Sequence, residues 1–227
     1  KMTGSFSSGL KMVEKVLDIK GRVFPVTNDN VNLCIKLKNG EVLKSENEIN
    51  HHKNIQQIGI KNIYLEPQAK PNKEVLKKTK EANIIVIGPG NHYCSIIPDL
   101  IVEGLSEAIY QSQATVIYVC NLVNKKGHTE NFQLTDYVKQ INSFFKKPRI
   151  DKVLFNNKKP AKEIRNKYEF YGEDLVEFKR ERNLNYEVVE TDILSDIKPQ
   201  YSKADSISKI RSFIRHDPDK LAEQILK

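Results

Sequence analysis

Three nearly continuous apolar runs, each followed by a polar loop, constrain the fold of this chain more than any other feature. They lie at residues 83–87 (NIIVI), 114–120 (ATVIYVC) and 150–155 (IDKVLF). Such runs are typical of strands buried on both faces, as in parallel sheets covered by helices. Between them, residues 101–112 and 134–145 place apolar side chains at helical spacing. The alternation predicts βαβ units and an α/β fold with a mostly parallel sheet flanked by helices.

Residues 22–65 carry a different pattern, in which apolar and polar side chains alternate. The alternation runs through residues 32–38, stops at Asn39-Gly40 and resumes at 41–43. An Asn-Gly pair between alternating segments is the strongest short-range signal of a β-hairpin. Residues 55–65 alternate again, so the region is predicted to form a small antiparallel β unit.

Further elements are predicted around these two regions. A fourth short strand is expected at 186–189, and helices at 9–18, 73–82, 160–168 and 218–226. Asp217 precedes Pro218, and proline is favoured at the first position of a helix. The predicted organisation is a helix of the α/β core at 1–21, a β-rich insertion at 22–66 and the remaining α/β core at 67–227.

Composition excludes several classes of protein. Hydrophobic residues make up 39% of the 227 residues, which suits a globular chain and excludes a disordered one. No apolar run approaches the roughly 18–20 residues of a membrane helix, so no membrane insertion is expected. Three cysteines without a CxxC pair exclude a disulfide framework and a zinc finger, and the cytoplasm is the expected location.

The net charge of +8 is compatible with nucleic acid, a membrane surface or anionic small molecules such as phosphates. No nucleic acid is expected as a partner, because the signatures of RNA-reading domains are absent and the chain has no tryptophan. Two interpretations of the charge stay open. One is a lysine-rich solvated surface, and the other is an anion-binding cleft.

The loop after the first apolar run, residues 88–95, contains two glycines around a proline. Gly88, Pro89 and Gly90 form a segment in which the backbone turns sharply and exposes its N–H groups. Neutral donors suited to phosphate or sugar oxygens follow at Asn91, Tyr93 and Ser95. The loop is interpreted either as a phosphate or nucleotide cradle, or as a tight turn that needs glycine only for its geometry.

Two more loops follow the next two apolar runs. Ligands of open parallel α/β sheets bind outside the carboxyl ends of the strands, so all three loops are candidates for one site. In the second loop, 121–129, the candidate binding residues are Asn121, Lys125, Gly127 and Thr129. In the third loop the candidate is Asn156. The alternatives are a solvated basic loop for the second and a simple backbone cap for the third.

The histidines and cysteines give weaker signals. None of the five histidines has metal-ligand spacing, so no metal site is predicted. His92 and His128 lie in the first two loops and are candidates for proton transfer, or are polar loop residues with no chemical role. Cys94 also lies in the first loop, but the sequence places no base beside it to activate a thiol.

The order and lengths of these segments resemble the gluconeogenesis-factor family, a sister group of the 2-phospho-L-lactate transferases. The resemblance covers essentially the whole chain. The segments that carry it are GPGNHYCSIIPDLIVEGLSEAI, VIYVCNLVNKKGHTENF and IDKVLFNN, with GLKMVEKVLDIKGRVFPVT and LKNGEVLKSENEI upstream and RHDPDKLAEQIL near the end.

The sequence departs from the family pattern at several positions. Asn91-His92 replaces Ser-Leu, Cys94 replaces Thr, and residues 125–128 read Lys-Lys-Gly-His in place of Gln-Pro-Gly-Glu. These changes add basicity beside the presumed ligand. The family also opens with a strand that runs into a glycine-rich turn and with an Asp-Asp-Gly loop, neither of which occurs in this sequence. We therefore expect either an excerpt that holds half of the nucleotide site or a lineage without that segment.

The resemblance implies a Rossmann-like α/β fold with a small antiparallel β insertion. It implies a nucleotide or nucleotide-sugar ligand of the UDP-sugar type, and a regulatory role in gluconeogenic growth, cell-wall metabolism and cell shape. The alternative is a 2-phospho-L-lactate transferase-like enzyme that moves a phospho-group from a nucleotide-linked donor and uses Mg²⁺. A third hypothesis is an interaction protein that forms a homodimer through its edge strands in 22–65.

Overall fold

A four-stranded parallel sheet lies at the centre of the fold and confirms the predicted α/β class. The computed structural model describes residues 6–197 and 212–227. The strands run side by side in the order β4-β5-β6-β7, and every neighbouring pair is parallel. Their bounds are β4 (Ile84–Ile87), β5 (Thr115–Val119), β6 (Lys152–Asn156) and β7 (Glu187–Thr191).

Helices lie before, between and after these strands in the chain. They are α4 (Lys73–Glu81), α5 (Ile97–Leu100), α6 (Leu105–Gln111), α7 (Leu134–Asn142), α8 (Lys162–Tyr171) and α9 (Pro218–Ile225), with a π-helical turn at His92–Ile96. The Asp217 side chain caps α9, as its position before a proline predicts. The helix predicted from residue 101 begins only at Leu105, because Gly104 has a φ of 80° and interrupts the helical backbone. Among the described residues, no helix has the length and apolarity needed to cross a bilayer.

The antiparallel unit forms as predicted, with two helices inside it. Its sheet has the order β2-β1-β3, with antiparallel pairing throughout. The elements are β1 (Asn32–Leu37), β2 (Val42–Leu43), α2 (Glu46–His51), α3 (Ile55–Ile58) and β3 (Ile60–Glu66). The strand predicted over 55–65 is wrong in its first part. Residues Ile55–Ile58 are helical, and Gly59, at a φ of 82°, ends the helix so that β3 can begin.

One hydrophobic cluster joins the two sheets. Buried side chains of the antiparallel unit, such as Leu37 and Ile49, belong to the same cluster as Ile97, Tyr118 and Ile141 of the α/β layer. The antiparallel unit therefore packs on the α/β layer through a shared core, and its loops lie against the loops of the parallel sheet.

The expectation that the run at 83–87 is buried on both faces is wrong. In the described residues β4 has a neighbouring strand on one side only, and Ile84 and Val86 are 39% and 42% exposed. By contrast, Val116 and Tyr118 of the central strand β5 are fully buried. The helix α1 (Phe6–Val16) forms near its predicted place, yet none of its side chains is buried.

Candidate functional site

The loops that follow β4 and β5 lie side by side at the carboxyl edge of the parallel sheet. We call residues 88–95 the first loop and residues 121–129 the second loop. Asn121 connects them, because its Nδ2 donates a hydrogen bond to the Gly90 carbonyl at 2.7 Å. The Tyr118 hydroxyl in turn donates to Asn121 Oδ1 at 3.2 Å. The strand end of β5 thus holds the first loop in place.

The first loop presents an accessible backbone. Gly88 and Pro89 are exposed, and apart from the adjacent residues of the chain no atom of the described residues lies within 4 Å of the position that a Cβ would occupy at Gly88. A Cβ at Gly90 would lie 3.2 Å from the Ser95 Cβ, so this glycine allows the chain to pack against the following turn. Neither glycine has a positive φ. At Gly88 the missing side chain leaves the backbone open to solvent. At Gly90 it allows the backbone to approach the π-helical turn that follows.

Two aromatic residues of the first loop point inward, toward α7. His92 is 3% exposed and Tyr93 is 4% exposed. His92 Nε2 lies 2.7 Å from Gln140 Oε1, and Gln140 Nε2 donates to the Tyr93 hydroxyl at 3.2 Å. Because an amide oxygen only accepts, His92 Nε2 carries a proton in this arrangement. Burial lowers the pKa of His92 to about 4, so its ring is neutral at neutral pH.

The second loop is anchored to the antiparallel unit through Asn50, near the end of α2. Lys125 Nζ donates to the Asn50 carbonyl oxygen at 3.0 Å and also to Asn50 Oδ1. Asn91 of the first loop donates through its Nδ2 to the same Oδ1 at 3.0 Å. Burial lowers the pKa of Lys125. One side chain of the antiparallel unit therefore contacts both candidate loops.

The end of the second loop is buried beneath the antiparallel unit. Gly127 has a φ of 77°, and a Cβ there would collide with the Lys53 carbonyl group. Its own carbonyl accepts a hydrogen bond from Gln56 N at 3.0 Å. His128 is 1% exposed, and its Nε2 lies 3.1 Å from the His52 carbonyl oxygen. Gly127 thus permits close packing of backbone on backbone.

The buried polar groups of this loop are largely satisfied by one another. Thr129 Oγ1 accepts from Lys125 N at 2.9 Å and lies 3.0 Å from the Tyr137 hydroxyl. That hydroxyl also donates to Asn124 Oδ1 at 2.9 Å. Burial, with a smaller contribution from the charge of Lys125, lowers the pKa of His128 to about 4. His128 and Thr129 are therefore the packed, buried end of the second loop.

Asn156 lies at the end of β6, apart from the contacts that join the first two loops. Its Nδ2 donates to the Lys158 carbonyl at 2.7 Å, and its Oδ1 accepts from Ile193 N at 3.3 Å. Both bonds go to the backbone, and the second joins the ends of β6 and β7. The structure gives this amide the geometry of a backbone clamp.

The sulfur and carboxylate chemistry near the loops is limited in the described residues. Cys94 is half-buried, and burial raises the pKa of its thiol to about 11, so the thiol stays protonated at neutral pH. In the part of the chain that the structure describes, no group of three or more His, Cys, Asp or Glu residues could hold a metal ion. The side chains at the two loops are suited to hydrogen bonding with a ligand and to charge stabilisation of it.

A cleft of about 400 Å³ adjoins the second loop. It lies between that loop, the segment after β6 and the region around α8. The side chains that line it combine aromatic faces with charges of both signs, and include Phe132, Lys159, Arg165, Tyr168 and Glu173. The Nε atom of Arg165 is buried there without a partner among the described residues. The charged and polar groups of this lining can form hydrogen bonds with the hydroxyl groups of a ligand, whereas Tyr168 is itself buried.

Sequence reasoning missed three of the residues that organise these loops: Asn50, Tyr137 and Gln140. Asn50 and Gln140 stand 41 and 48 residues from their partners in the first loop, and Tyr137 bonds to Asn124, 13 residues away. Each sits in a segment whose pattern predicts only local structure. A search for polar residues on the inner face of α7 could have singled out Tyr137 and Gln140, whereas Asn50 carries no comparable signal.

The sequence is similar along its length to proteins of one family. Residues 1–194 match the family described as "2-phospho-L-lactate transferase CofD". A relative from Thermotoga maritima is 35% identical over 226 residues, which make up 99% of this chain and 68% of that protein. The Bacillus subtilis protein named "Gluconeogenesis factor" is 30% identical over 228 residues, which make up 99% of this chain and 67% of that protein.

Solved structures have the same fold. The crystal structure of protein BH3568 from Bacillus halodurans has a TM-score of 0.85 at 27% identity, and the match covers 100% of this chain and 68% of that one. A second crystal structure, described as a member of the upf0052 family, has a TM-score of 0.86. This chain spans 66% of a relative from Aquifex aeolicus and 47% of one from Clostridium acetobutylicum.

Proposed function

Because this chain belongs to the 2-phospho-L-lactate transferase CofD family and resembles its gluconeogenesis factors throughout, we propose that it is a regulatory protein that binds a nucleotide sugar. The observation that supports the proposal most directly is the exposed backbone at Gly88, in a loop whose Asn91 shares the Asn50 side chain with Lys125. A backbone N–H group and an ammonium group on the same edge of the sheet are suited to the oxygens of a diphosphate.

The neighbouring cleft provides room for the rest of such a ligand. The half-buried Phe132 offers an aromatic edge of the cleft, and the charged groups offer partners for hydroxyl groups. In this proposal the diphosphate lies on the first loop and Lys125 neutralises part of its charge. Asn121 fixes the position of the first loop relative to the second. The nucleoside or sugar extends toward the cleft.

The test is a thermal-shift and calorimetric titration of the purified chain with UDP-glucose, UDP-N-acetylglucosamine, UDP, GDP and pyrophosphate. A ligand present at 100 times its Kd adds about 2.7 kcal/mol to the free energy of unfolding. We expect the UDP-sugars to give the largest rise in Tm and pyrophosphate a smaller one. A panel in which no compound changes Tm up to millimolar concentration would overturn the proposal.

The family match also supports a second candidate, transfer of a phospho-group from a nucleotide-linked donor. In the loops described, His92 and His128 are neutral and buried, and the Cys94 thiol is protonated. These states favour holding a ligand over transforming it. Release of nucleotide from UDP-sugars or guanine-nucleotide donors in the presence of Mg²⁺, abolished by His92→Ala or His128→Ala, would make the transferase the leading candidate.

The regulatory role is proposed from the same relatives. A Bacillus subtilis strain that lacks its gluconeogenesis factor provides a recipient for this chain and for its binding-site variants. We expect the wild-type chain, but not a variant without ligand binding, to alter growth and cell shape on gluconeogenic carbon. Equal effects of both would separate the cellular role from nucleotide-sugar binding.

A further inference from the structure

We propose that Asn50 of the antiparallel unit is a positioning residue of the ligand site, where it holds the Lys125 ammonium group and the Asn91 amide for an anionic ligand. The inference rests on the proposed function and deepens it. It makes the antiparallel unit part of the site, through a residue that lies outside all three loops at the carboxyl ends of the strands.

The contacts of Asn50 converge from both loops. Its Oδ1 accepts from Asn91 Nδ2 at 3.0 Å and from Lys125 Nζ, and its backbone carbonyl accepts from the same Nζ at 3.0 Å. A lysine ammonium group has three N–H donors. Two of them point to Asn50, so one N–H remains for an oxygen of the ligand.

The partners that hold Lys125 are neutral. Within residues 6–197 and 212–227, no carboxylate forms an ion pair with its Nζ at 4.0 Å or less. The ammonium group is half-buried, and its hydrogen-bond acceptors are the amide and carbonyl oxygens of Asn50. The charges of Glu173 and Glu46 also favour the charged form, from beyond ion-pair distance. A cation that is fixed in direction and has no carboxylate within 4.0 Å among the described residues is a favourable partner for phosphate oxygens.

The segment that carries Asn50 is rigidly joined to the second loop. Gln56 N donates to the Gly127 carbonyl, and Gln56 Nε2 donates to the Glu130 carbonyl at 2.6 Å. The His52 carbonyl oxygen lies within hydrogen-bond distance of His128 Nε2. Asn50 therefore has a defined position relative to Lys125. Asn91 and Lys125 are also two of the positions at which this sequence departs from the family pattern. Asn50 therefore contacts two of the residues that distinguish this chain from the pattern.

The first test is Asn50→Asp, with UDP-N-acetylglucosamine and pyrophosphate as probes in calorimetric titrations at low and high salt. The carboxylate is isosteric with the amide and can still accept from both Lys125 and Asn91, so the fold and Tm are retained. It neutralises the ammonium charge, and we expect the affinity for both probes to fall about tenfold at low salt and less at high salt.

Asn39→Asp is the matched control. It makes the same change of charge on the same unit, in an exposed hairpin turn where Asp-Gly is as suitable as Asn-Gly. We expect the affinity of Asn39→Asp for both probes to remain within about twofold of the wild type, because salt screens the effect of an exposed charge on the binding site. An equal loss in Asn39→Asp and Asn50→Asp would reduce the effect to net charge and overturn the positioning role.

The second test is a double-mutant cycle between Asn50→Ala and Lys125→Ala. If Asn50 acts through Lys125, Asn50→Ala lowers affinity about fivefold in the wild-type background and causes little further loss when Lys125 is already Ala. A purely structural role predicts the same fold-loss in both backgrounds and would overturn the inference. Wild-type protein that binds neither probe overturns the proposed function as well. Wild-type binding that Asn50→Asp leaves unchanged overturns only the inference about Asn50.

Discussion

The two loops at the carboxyl edge contain similar residues, yet the fold uses them in opposite ways. In the first loop Gly88 and Pro89 are exposed, and no side chain of the described residues packs against Gly88. In the second loop Gly127 and Thr129 are buried under the antiparallel unit. The same combination of glycine and small polar side chains therefore leaves the backbone exposed in one loop and closely packed in the other. The difference is made by the antiparallel unit, which packs its backbone against Gly127 in the second loop but leaves Gly88 exposed in the first.

The largest effect that tests this contrast is on stability. We expect Gly127→Ala to lower the free energy of unfolding by about 3 kcal/mol or more, because alanine is strained at a φ of 77° and its Cβ would collide with the Lys53 carbonyl group. Gly88→Ala, the matched substitution in the first loop, is expected to stay within about 1 kcal/mol of the wild type. Denaturant unfolding of both variants measures the difference. Equal losses would mean that the two loops are packed alike.

The fold could be predicted well where pattern and burial coincide. The runs in β5 and β6 are buried on both faces, and Asn39-Gly40 forms the expected hairpin turn. The run in β4 has the same composition, but Ile84 and Val86 project from one face that the described helices leave uncovered at this edge of the sheet. A run of apolar residues shows what a segment can bury, whereas the packing of helices on each face decides what it does bury.

The candidate site could be predicted only in part. The rule that ligands bind at the carboxyl ends of parallel strands located both loops, and Asn121 does join them. The direction of each side chain was beyond the sequence. His92, for example, points to Gln140, 48 residues away, and whether it faces solvent or α7 depends on a tertiary contact. Asn50 was missed for the same reason, since its partner Lys125 is 75 residues away.

A second prediction concerns acid stability and the buried side of the first loop. Burial lowers the pKa of His92 from its ordinary value of 6.5 to about 4 in the folded chain. Between these pH values the unfolded chain binds a proton that the folded chain does not, so stability falls as the pH falls from 6.5 to 4. The contribution of His92 to this loss is about 3 kcal/mol.

The variant His92→Leu tests this assignment. It replaces the titrating group with an apolar side chain at the same buried position. We therefore expect the unfolding free energy to depend less steeply on pH between 6.5 and 4 than in the wild type. The measurement is urea unfolding at a series of pH values. A variant with the wild-type slope would show that His92 is solvated and titrates alike in the folded and unfolded chains.

The third prediction concerns the access of a ligand to the first loop, measured separately from the stability of the fold. Gly88→Val places a branched side chain in the empty space above the exposed backbone, where a ligand would approach. We expect the affinity for UDP-sugars to fall about tenfold, which corresponds to about 1.4 kcal/mol, with Tm close to the wild-type value. Calorimetric titration and thermal unfolding of the same sample measure both quantities. Unchanged affinity would remove the first loop from the ligand site.

The smallest expected effect distinguishes the two lysines of the second loop. Lys125 is half-buried and directed by Asn50, whereas its neighbour Lys126 is exposed. We expect Lys125→Ala to weaken the binding of pyrophosphate about fivefold at low salt, and Lys126→Ala to weaken it less than twofold, because a freely solvated ammonium group contributes little to a specific contact. The loss in Lys125→Ala should shrink as salt rises, since screening already weakens the wild-type interaction. Titrations at two salt concentrations measure these losses. If the two variants lose the same affinity, the fixed direction of Lys125 has no role, and the second loop contributes only general positive charge.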